Sequence, residues 1–246
     1  MVKVSYGITV CNELEEITKL INFLHPRVME DDEILVQYDE DSVTEDVLNY
    51  LRIIDELHTN VKIIGFPLNK NFADFKNNLK NYASGLFIVQ LDADELPSEE
   101  LIANMHDLLD ANKDIDLFFV PRINTVDGLT IAHLKKWGWK TSKLESQIGE
   151  KEIDTNSGEY KLLKKLGYII DKSDDSIKYY KPIINHPDVQ TRIYRRTSEI
   201  EWDGKVHERI KGYNTMTFLP FEEAYSIYHP KSIDKQEKQN ELYSKL

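Results

Sequence analysis

Two carboxylates one residue apart, Asp92 and Asp94, stand in the stretch Leu91-Asp92-Ala93-Asp94-Glu95. That spacing suits a hard divalent cation such as Mg2+, which takes oxygen ligands, commonly one or two carboxylates plus substrate phosphates. The chemistry would be a metal that joins the protein to a diphosphate. A polar strand-to-helix turn explains the same five residues equally well, since Asp is common in turns and caps. Further along, His207 and Glu208 are neighbours, six residues at most from Trp202. Either can take a proton from a hydroxyl: a carboxylate within reach suffices, and imidazole is the commonest general base. The bland reading of Glu208 is an ion pair with Arg192 or Arg209. Arg122, Arg192 and Arg195 carry the planar fork that matches phosphate oxygens, although Arg195 and Arg196 also fit as strand-end surface charges. Trp137, Trp139 and Trp202 can stack on a sugar face, but Trp more often packs, and packing is expected for at least two of the three.

The elements that must position these residues follow from hydrophobic periodicity. The apolar run 86–90 predicts a buried parallel strand, and Pro97-Ser98-Glu99-Glu100 predicts a helix start. Asp92 and Asp94 then lie at the C-terminal end of a strand, where open α/β sheets bind their ligands. Strands are also expected at 2–10, 33–38, 61–66 and 116–120. Helices are expected at 13–24 with Asn12 as cap, through Val47 to Leu57 after Ser42, at 72–82, and at 98–109. This alternation predicts an α/β fold, a mostly parallel Rossmann-like sheet flanked by helices. Residues 129–182 break the rhythm and predict an irregular or helical insertion, such as a lid. Strand-like sequence returns at 189–195, 200–202 and 224–228 as a C-terminal antiparallel part, followed by a polar helix over 233–246.

In such a sheet, Thr9, Asn12 and Glu13 after the first strand and Asp39 and Asp41 after the second share one crevice with the acidic motif. Carboxylates there can accept hydrogen bonds from a base N–H or a ribose hydroxyl, which suits a nucleotide better than free phosphate. Helix capping by Asn12 and Ser42 is the alternative. Neither G-x-G-x-x-G nor G-x-x-x-x-G-K-[ST] occurs, which counts against a dinucleotide enzyme or a P-loop NTPase.

The chain has 246 residues, 41% hydrophobic and 30% charged, as expected of an ordinary globular protein with one large domain or two small ones. A net charge of −12 argues against a broad footprint for nucleic acid or anionic membrane. The single cysteine, Cys11, forms no intrachain disulfide and is expected as a buried, inert thiol in a strand. The first residues show strand-like sequence without a signal-peptide pattern, and no apolar run reaches the ~20 residues of a membrane span. A cytoplasmic protein, at most peripheral to a membrane, is expected; oligomeric state is not legible.

Taken in order, Thr9-Val10-Cys11-Asn12-Glu13, Tyr38-Asp39-Glu40-Asp41-Ser42, Asn69-Lys70-Asn71-Phe72, Lys76-Asn77 and Leu91-Asp92-Ala93-Asp94-Glu95 resemble the GT-A fold of family 2 glycosyltransferases. His186-Pro187-Asp188-Val189-Gln190-Thr191-Arg192-Ile193-Tyr194-Arg195-Arg196, then Trp202-Asp203-Gly204-Lys205-Val206-His207-Glu208, resemble the second half of enzymes that glycosylate lipopolysaccharide cores. The resemblance covers 1–125 and 186–246 and leaves 129–182 unmatched. It implies a nucleotide-sugar-binding half, 1–125, and an acceptor-side half, 126–246, of one domain.

The resemblance further implies a metal-dependent, inverting transfer of a sugar from a nucleotide-sugar donor to a hydroxyl acceptor, a glycan or glycolipid. UDP-sugars are favoured over GDP-sugars, and Mn2+ or Mg2+ is the cofactor. Asp39 would hold the base, with Thr9 and Glu13 lining the nucleoside pocket. Asp92 would contact the ribose or the metal's water shell, Asp94 would bind the metal, and His229 would complete the metal or diphosphate site. Asn12, Asp41, Lys76, Arg122, Gln190, Arg192 and Trp202 would fall on the substrate side. Glu208 is the expected general base, with His207 as competitor. One alternative on the same fold is a sugar-1-phosphate nucleotidyltransferase, but the loop after the first strand is acidic and lacks the glycines that cradle a triphosphate. A non-catalytic nucleotide- or sugar-binding domain is the other, against which Asp92, Asp94 and Glu208 stand together.

Overall fold

The computed structural model describes residues 2–152 and 154–243. It divides into two compact units, Met1–Pro121 with Val189–Ile227, and Arg122–Asp188 with Tyr228–Leu246.

In the first unit, β1 (Val4–Val10), β2 (Glu33–Asp39), β3 (Val61–Phe66) and β4 (Phe87–Asp92) form a parallel sheet in the order β3-β2-β1-β4. Helices α1 (Leu14–Leu24), α2 (Glu45–Leu57) and α3 (Phe72–Tyr82) connect them. Alternate strand residues face opposite sides. Tyr6, Ile8, Ile34, Val36, Val89 and Leu91 pack with Ile17, Leu20 and Leu24 of α1 and Val47 and Leu51 of α2. Leu35, Ile64 and Ile88 pack with Ala73 and Leu79 of α3 on the other side. A β-carbon at Gly7 would stand 2.5 Å from a Leu79 side-chain carbon, so the bare glycine lets α3 approach β1. The end of the strand Ile183–Arg195 runs antiparallel to β4, with Ile193 opposite Val89. The predicted α/β class, with its antiparallel C-terminal part, is the observed one.

Several local expectations are corrected. Asn12 and Ser42 do not cap helices: Glu13 is at the N-cap of α1 and Thr44 at that of α2, neither with a side-chain capping bond. The expected helix 98–109 is two, Glu99–Ala103 and Met105–Ala111, meeting at Asn104, whose φ of −100° and ψ of 6° leave the helical region. Ser98 does cap the first, its Oγ accepting from Leu101 N–H at 3.1 Å. The strands at 116–120 and 189–195 extend to Leu117–Asp127 and Ile183–Arg195, because only their apolar ends showed in the pattern. Segment 200–202 is the strand Glu201–Asp203, paired antiparallel with Arg209–Lys211. Segment 224–228 is a 3-10 turn, Glu223–Tyr225, and the strand Ile227–Ser232.

In the second unit the insertion is folded. It carries the expected helical segments, Ile131–Trp137 and Gly158–Leu166, and also a three-stranded antiparallel sheet with Ser176–Tyr180 between Ile148–Glu152 and Ile169–Lys172. Ile148-Gly149-Glu150-Lys151-Glu152 is poor in strand formers, so its pairing is set by its neighbour and not by propensity. Two small cores support this unit, one around Val126, Leu129, Leu162 and Ile184 and one around Leu163, Tyr168, Ile177 and Tyr179. The tail helix is Ile233–Tyr243; the rest of its expected span lies outside the described residues. Among the described residues, no helix is long and apolar enough to cross a membrane.

Candidate active site

Strand β4 ends in a tight turn closed by the Glu95 N–H on the Asp92 carbonyl, 2.9 Å. Asp92 and Asp94 are half-buried on this turn, whereas Glu95 is only 1% exposed. Glu95 Oε2 accepts from the Asp92 N–H at 3.2 Å, and its Oε1 accepts from Arg192 Nη2 at 2.6 Å. The same Nη2 donates to Asp92 Oδ2 at 2.7 Å. The antiparallel pairing of Ile193 with Val89 brings Arg192 to this turn. Burial works against the charge of Arg192, but attraction by Glu95, then Asp92, outweighs it and raises its pKa further. Arg192 is thus a locked structural cation at this turn.

Asp92 Oδ1 accepts from Thr9 Oγ1 at 2.9 Å, across the paired ends of β1 and β4. Lys76, buried on α3, places Nζ 3.7 Å from Asp92 Oδ1 and donates to Glu208 Oε1 at 2.6 Å. Glu208 belongs to the loop between the short strands Glu201–Asp203 and Arg209–Lys211, a loop tied to α3 by the Phe72 N–H on the Lys205 carbonyl, 3.0 Å. Asn77 bonds Trp202 on both sides, Nδ2 to its carbonyl and Oδ1 from its N–H, each 2.9 Å. The result is three carboxylates, Asp92, Glu95 and Glu208, interleaved with two buried cations, Lys76 and Arg192.

Glu95 carries no expectation from the sequence, although it stands fourth in the turn that begins at Asp92. The close ion pair of Glu208 is with Lys76 rather than with Arg192 or Arg209, although its charge also acts on Arg192. His207 and Glu208 are on a loop, where His207 is exposed with a φ of +56°. Trp202 is corrected as a sugar-stacking candidate. It is 3% exposed, its ring meets Tyr194 edge-on at 5.9 Å, and Lys76 Nζ sits 4.6 Å from its centre.

The other loops at this sheet edge are ordered by their own carboxylates. Glu13 Oε2 accepts from the N–H groups of Cys11 and Asn12, at 2.8 and 3.0 Å. Asp39 Oδ1 accepts from the N–H groups of Leu68 and Asp41, at 2.9 and 3.3 Å. Asn12 and Asp41 are exposed beside them. Cys11 is half-buried, and burial, then Glu13, then Asp39, pushes its thiol up to about 11, so it stays protonated. Gln190 lies two residues before Arg192 on one strand, hence on the same face. Arg195 is structural: Nε meets Asp116 Oδ1 at 3.1 Å and the guanidinium lies 4.6 Å from the Phe87 ring centre. Arg196 Nε donates to the Gly85 carbonyl at 2.7 Å.

Arg122 and His229 belong to the second unit. Arg122 was expected to meet phosphate, but its fork meets Asp188 Oδ2 through Nε at 2.9 Å and Nη2 at 2.8 Å. Asn124 Nδ2 donates to the same oxygen at 2.8 Å, which turns Asn124 Oδ1 toward His229 Nδ1, 2.7 Å away. An amide oxygen only accepts, so His229 Nδ1 is the donor in this contact. Trp137 and Trp139 are half-buried with ring centres 4.6 Å apart.

Among the described residues, no group of three or more His, Cys, Asp or Glu side chains forms a ready metal cage. A two-carboxylate turn still fits Mg2+ or Mn2+ that arrives with substrate phosphates, because such ions keep waters and need only one or two protein carboxylates.

No curated protein is significantly similar to this chain. Among solved structures, S. aureus TarS 1-349 in complex with UDP-GlcNAc is 17% identical with a TM-score of 0.56, over 93% of this chain and 58% of that one. A second crystal structure of S. aureus TarS 1-349 is 16% identical with a TM-score of 0.53, over 93% of this chain and 60% of that one. A shorter match, 19% identical with a TM-score of 0.42 over 48% of this chain and 35% of the other, is to a Pyrobaculum calidifontis mannosyltransferase in complex with GDP-Man and Mn2+. The chain thus spans 35 to 60% of the length of the chains in these three structures. Residues 5–169 match the sequence pattern of Glycosyl transferase family 2, about two thirds of the chain. With that match over a parallel sheet whose β4 ends in the Asp92–Glu95 turn, the chain belongs to Glycosyl transferase family 2.

Proposed function

We propose that this protein transfers a sugar, with inversion, from a nucleotide-sugar donor to a hydroxyl of a glycan or glycolipid. The observation that supports the reading is the joining of Glu208, the proposed base, to the Asp92 turn through Lys76. The acceptor hydroxyl attacks the anomeric carbon, the bond from that carbon to the diphosphate breaks, and the hydroxyl proton passes to Glu208. Lys76 engages Oε1 of Glu208, so Oε2 is the oxygen offered to the acceptor. His207 is the substitute base if Glu208 proves dispensable.

Asp94, with Asp92 through water, would hold Mn2+ or Mg2+, which when bound supplies Lewis-acid neutralisation of the leaving diphosphate. His229, in the second unit, is proposed as a metal or diphosphate ligand on the resemblance alone. Asp39, Thr9 and Glu13 line the nucleoside pocket, and UDP is favoured as the base-bearing group. Residues 1–125 take the donor and 126–246 the acceptor, as in the lipopolysaccharide core enzymes that the later motifs resemble.

The nucleotidyltransferase alternative is disfavoured by a specific contact. Glu13 occupies the Cys11 and Asn12 N–H groups that a triphosphate would need in the loop after β1.

A thermal-shift screen of UDP, GDP and their sugars, with and without Mn2+, tests the donor site, because a ligand that binds only the native state raises the midpoint. A Mn2+-dependent rise with one nucleotide, lost in Asp94→Ala, is expected. A metal-independent rise removes Asp94 from the metal site, and no rise with any nucleotide leaves a binding module.

A further inference from the structure

The chain carries a net charge of −12, yet between Asp127 and Glu145 it has no acidic residue and four lysines, Lys135, Lys136, Lys140 and Lys143. This stretch is built as a surface in the second unit. Helix Ile131–Trp137 ends at Gly138 with a left-handed φ of 67°, and the reversal brings the rings of Trp137 and Trp139 to 4.6 Å. Leu134 and Trp139 pack inward on the core of Val126, Leu129, Leu162 and Ile184. Trp137 instead stacks on His133, 5.2 Å between centres, with Lys136 Nζ 5.5 Å from its ring centre. Lys135, Lys136 and Lys140 are exposed around it.

Two nearby acidic groups each have a partner. Glu237 comes within 3.9 Å of His133 Nε2, and Glu145 accepts from the Tyr180 hydroxyl at 2.8 Å. Lys143 sits over the Tyr180 ring at 4.6 Å and is left out of the face for that reason.

We infer that Lys135, Lys136, Trp137 and Lys140 form a docking surface for an anionic lipid bilayer. Tryptophan is enriched at membrane interfaces because its ring is apolar and its N–H polar, and lysines beside it meet anionic headgroups. A bilayer meets this face alone, and charges elsewhere on the chain beyond a Debye length are screened from it; a nucleic acid, which can also stack a base on an aromatic ring, is the competing polyanion that lipid vesicles separate from it. The inference does not depend on the transfer reaction.

The test is flotation of the full chain with vesicles of phosphatidylcholine, alone or mixed with equal phosphatidylglycerol. Binding to the mixed vesicles only, and its loss at high salt, is expected. Each lysine near an anionic surface is worth roughly fivefold in partition, so K135A/K136A/K140A should lower binding about a hundredfold. K135R/K136R/K140R should keep it, and Trp137→Ala should weaken it with an unchanged melting midpoint. Should the alanine triple fail to fold, Lys140→Ala alone carries the charge test. Equal binding to both vesicle types, no binding, or full binding by the alanine variants overturns the inference. So does a Trp137→Ala protein that floats normally but loses binding to a soluble oligosaccharide, which would make Trp137 a sugar platform.

Discussion

Lys76 Nζ lies 2.6 Å from Glu208 Oε1 and 3.7 Å from Asp92 Oδ1, so one buried ammonium on α3 joins the hairpin loop to the end of β4. Its own side chain is 5% exposed and that of Glu208 15%, which makes the pair a buried one. Removing one member of such a pair leaves an uncompensated charge. Lys76→Met is therefore expected to destabilise the fold by about 3 kcal/mol, the low end for buried pairs since the Asp92 side chain is 36% exposed. Urea unfolding measures it; Lys76→Arg should recover most of the loss, and a neutral Lys76→Met would show that the pair does not form.

If Glu208 is the base, Glu208→Gln should lower turnover by roughly a thousandfold, within the range of general-base effects, while the UDP-dependent melting shift stays. Steady-state transfer assays beside thermal shifts separate the two. Turnover near wild type moves the role to His207.

Glu95 holds Arg192 with both groups almost wholly buried, at 0% and 5% side-chain exposure. Glu95→Gln is expected to cost about 3–5 kcal/mol and to loosen the Asp92 turn, since Glu95 also receives the Asp92 N–H. Differential scanning of the variant should show a drop of several degrees, about 2–4 °C per kcal/mol for a chain of this size. A midpoint within a degree or so of wild type would contradict the clamp.

Burial works against ionising Glu33, but hydrogen bonds from Ser5, Ser84 and Lys62 outweigh it and hold the carboxyl down to about 2. A carboxylate depressed in the folded state stabilises above its ordinary pKa of 4.5 and loses that contribution as pH falls toward about 2. Chemical denaturation across that window should show stability falling with acid, and Glu33→Gln should flatten the slope. An unchanged slope would mean that Glu33 is not the carboxyl responsible.

The Cys11 thiol, raised to about 11, should react slowly with iodoacetamide at neutral pH, with an inflection far above that of a free thiol. Its Sγ donates to the Ser42 carbonyl at 3.4 Å, which also favours the protonated form. Alkylation rates against pH in the native protein decide this; an inflection near 8.5, the free-thiol value, would refute it.

Periodicity by itself determined the β-α alternation of the first unit, because whether a segment buries one face at period 2 or 3.6 is a local property of its residues. It also placed Asp92 and Asp94 at a strand end, and Thr9 and Asp39 at neighbouring ends, since parallel strands align their C-terminal edges. The three-stranded sheet of the insertion escaped it: Ile148–Glu152 and Ile169–Lys172 are mostly exposed, so no apolar stripe records them. Only the tertiary structure decided which cation meets which carboxylate. Lys76 and Glu208 are 132 residues apart and Arg192 and Glu95 are 97 apart, and charge pairs form by proximity, which local sequence does not encode. For the same reason Arg122, a plausible phosphate ligand by residue type, proved to be held by Asp188, and Trp202 proved to be the buried floor beneath Lys76.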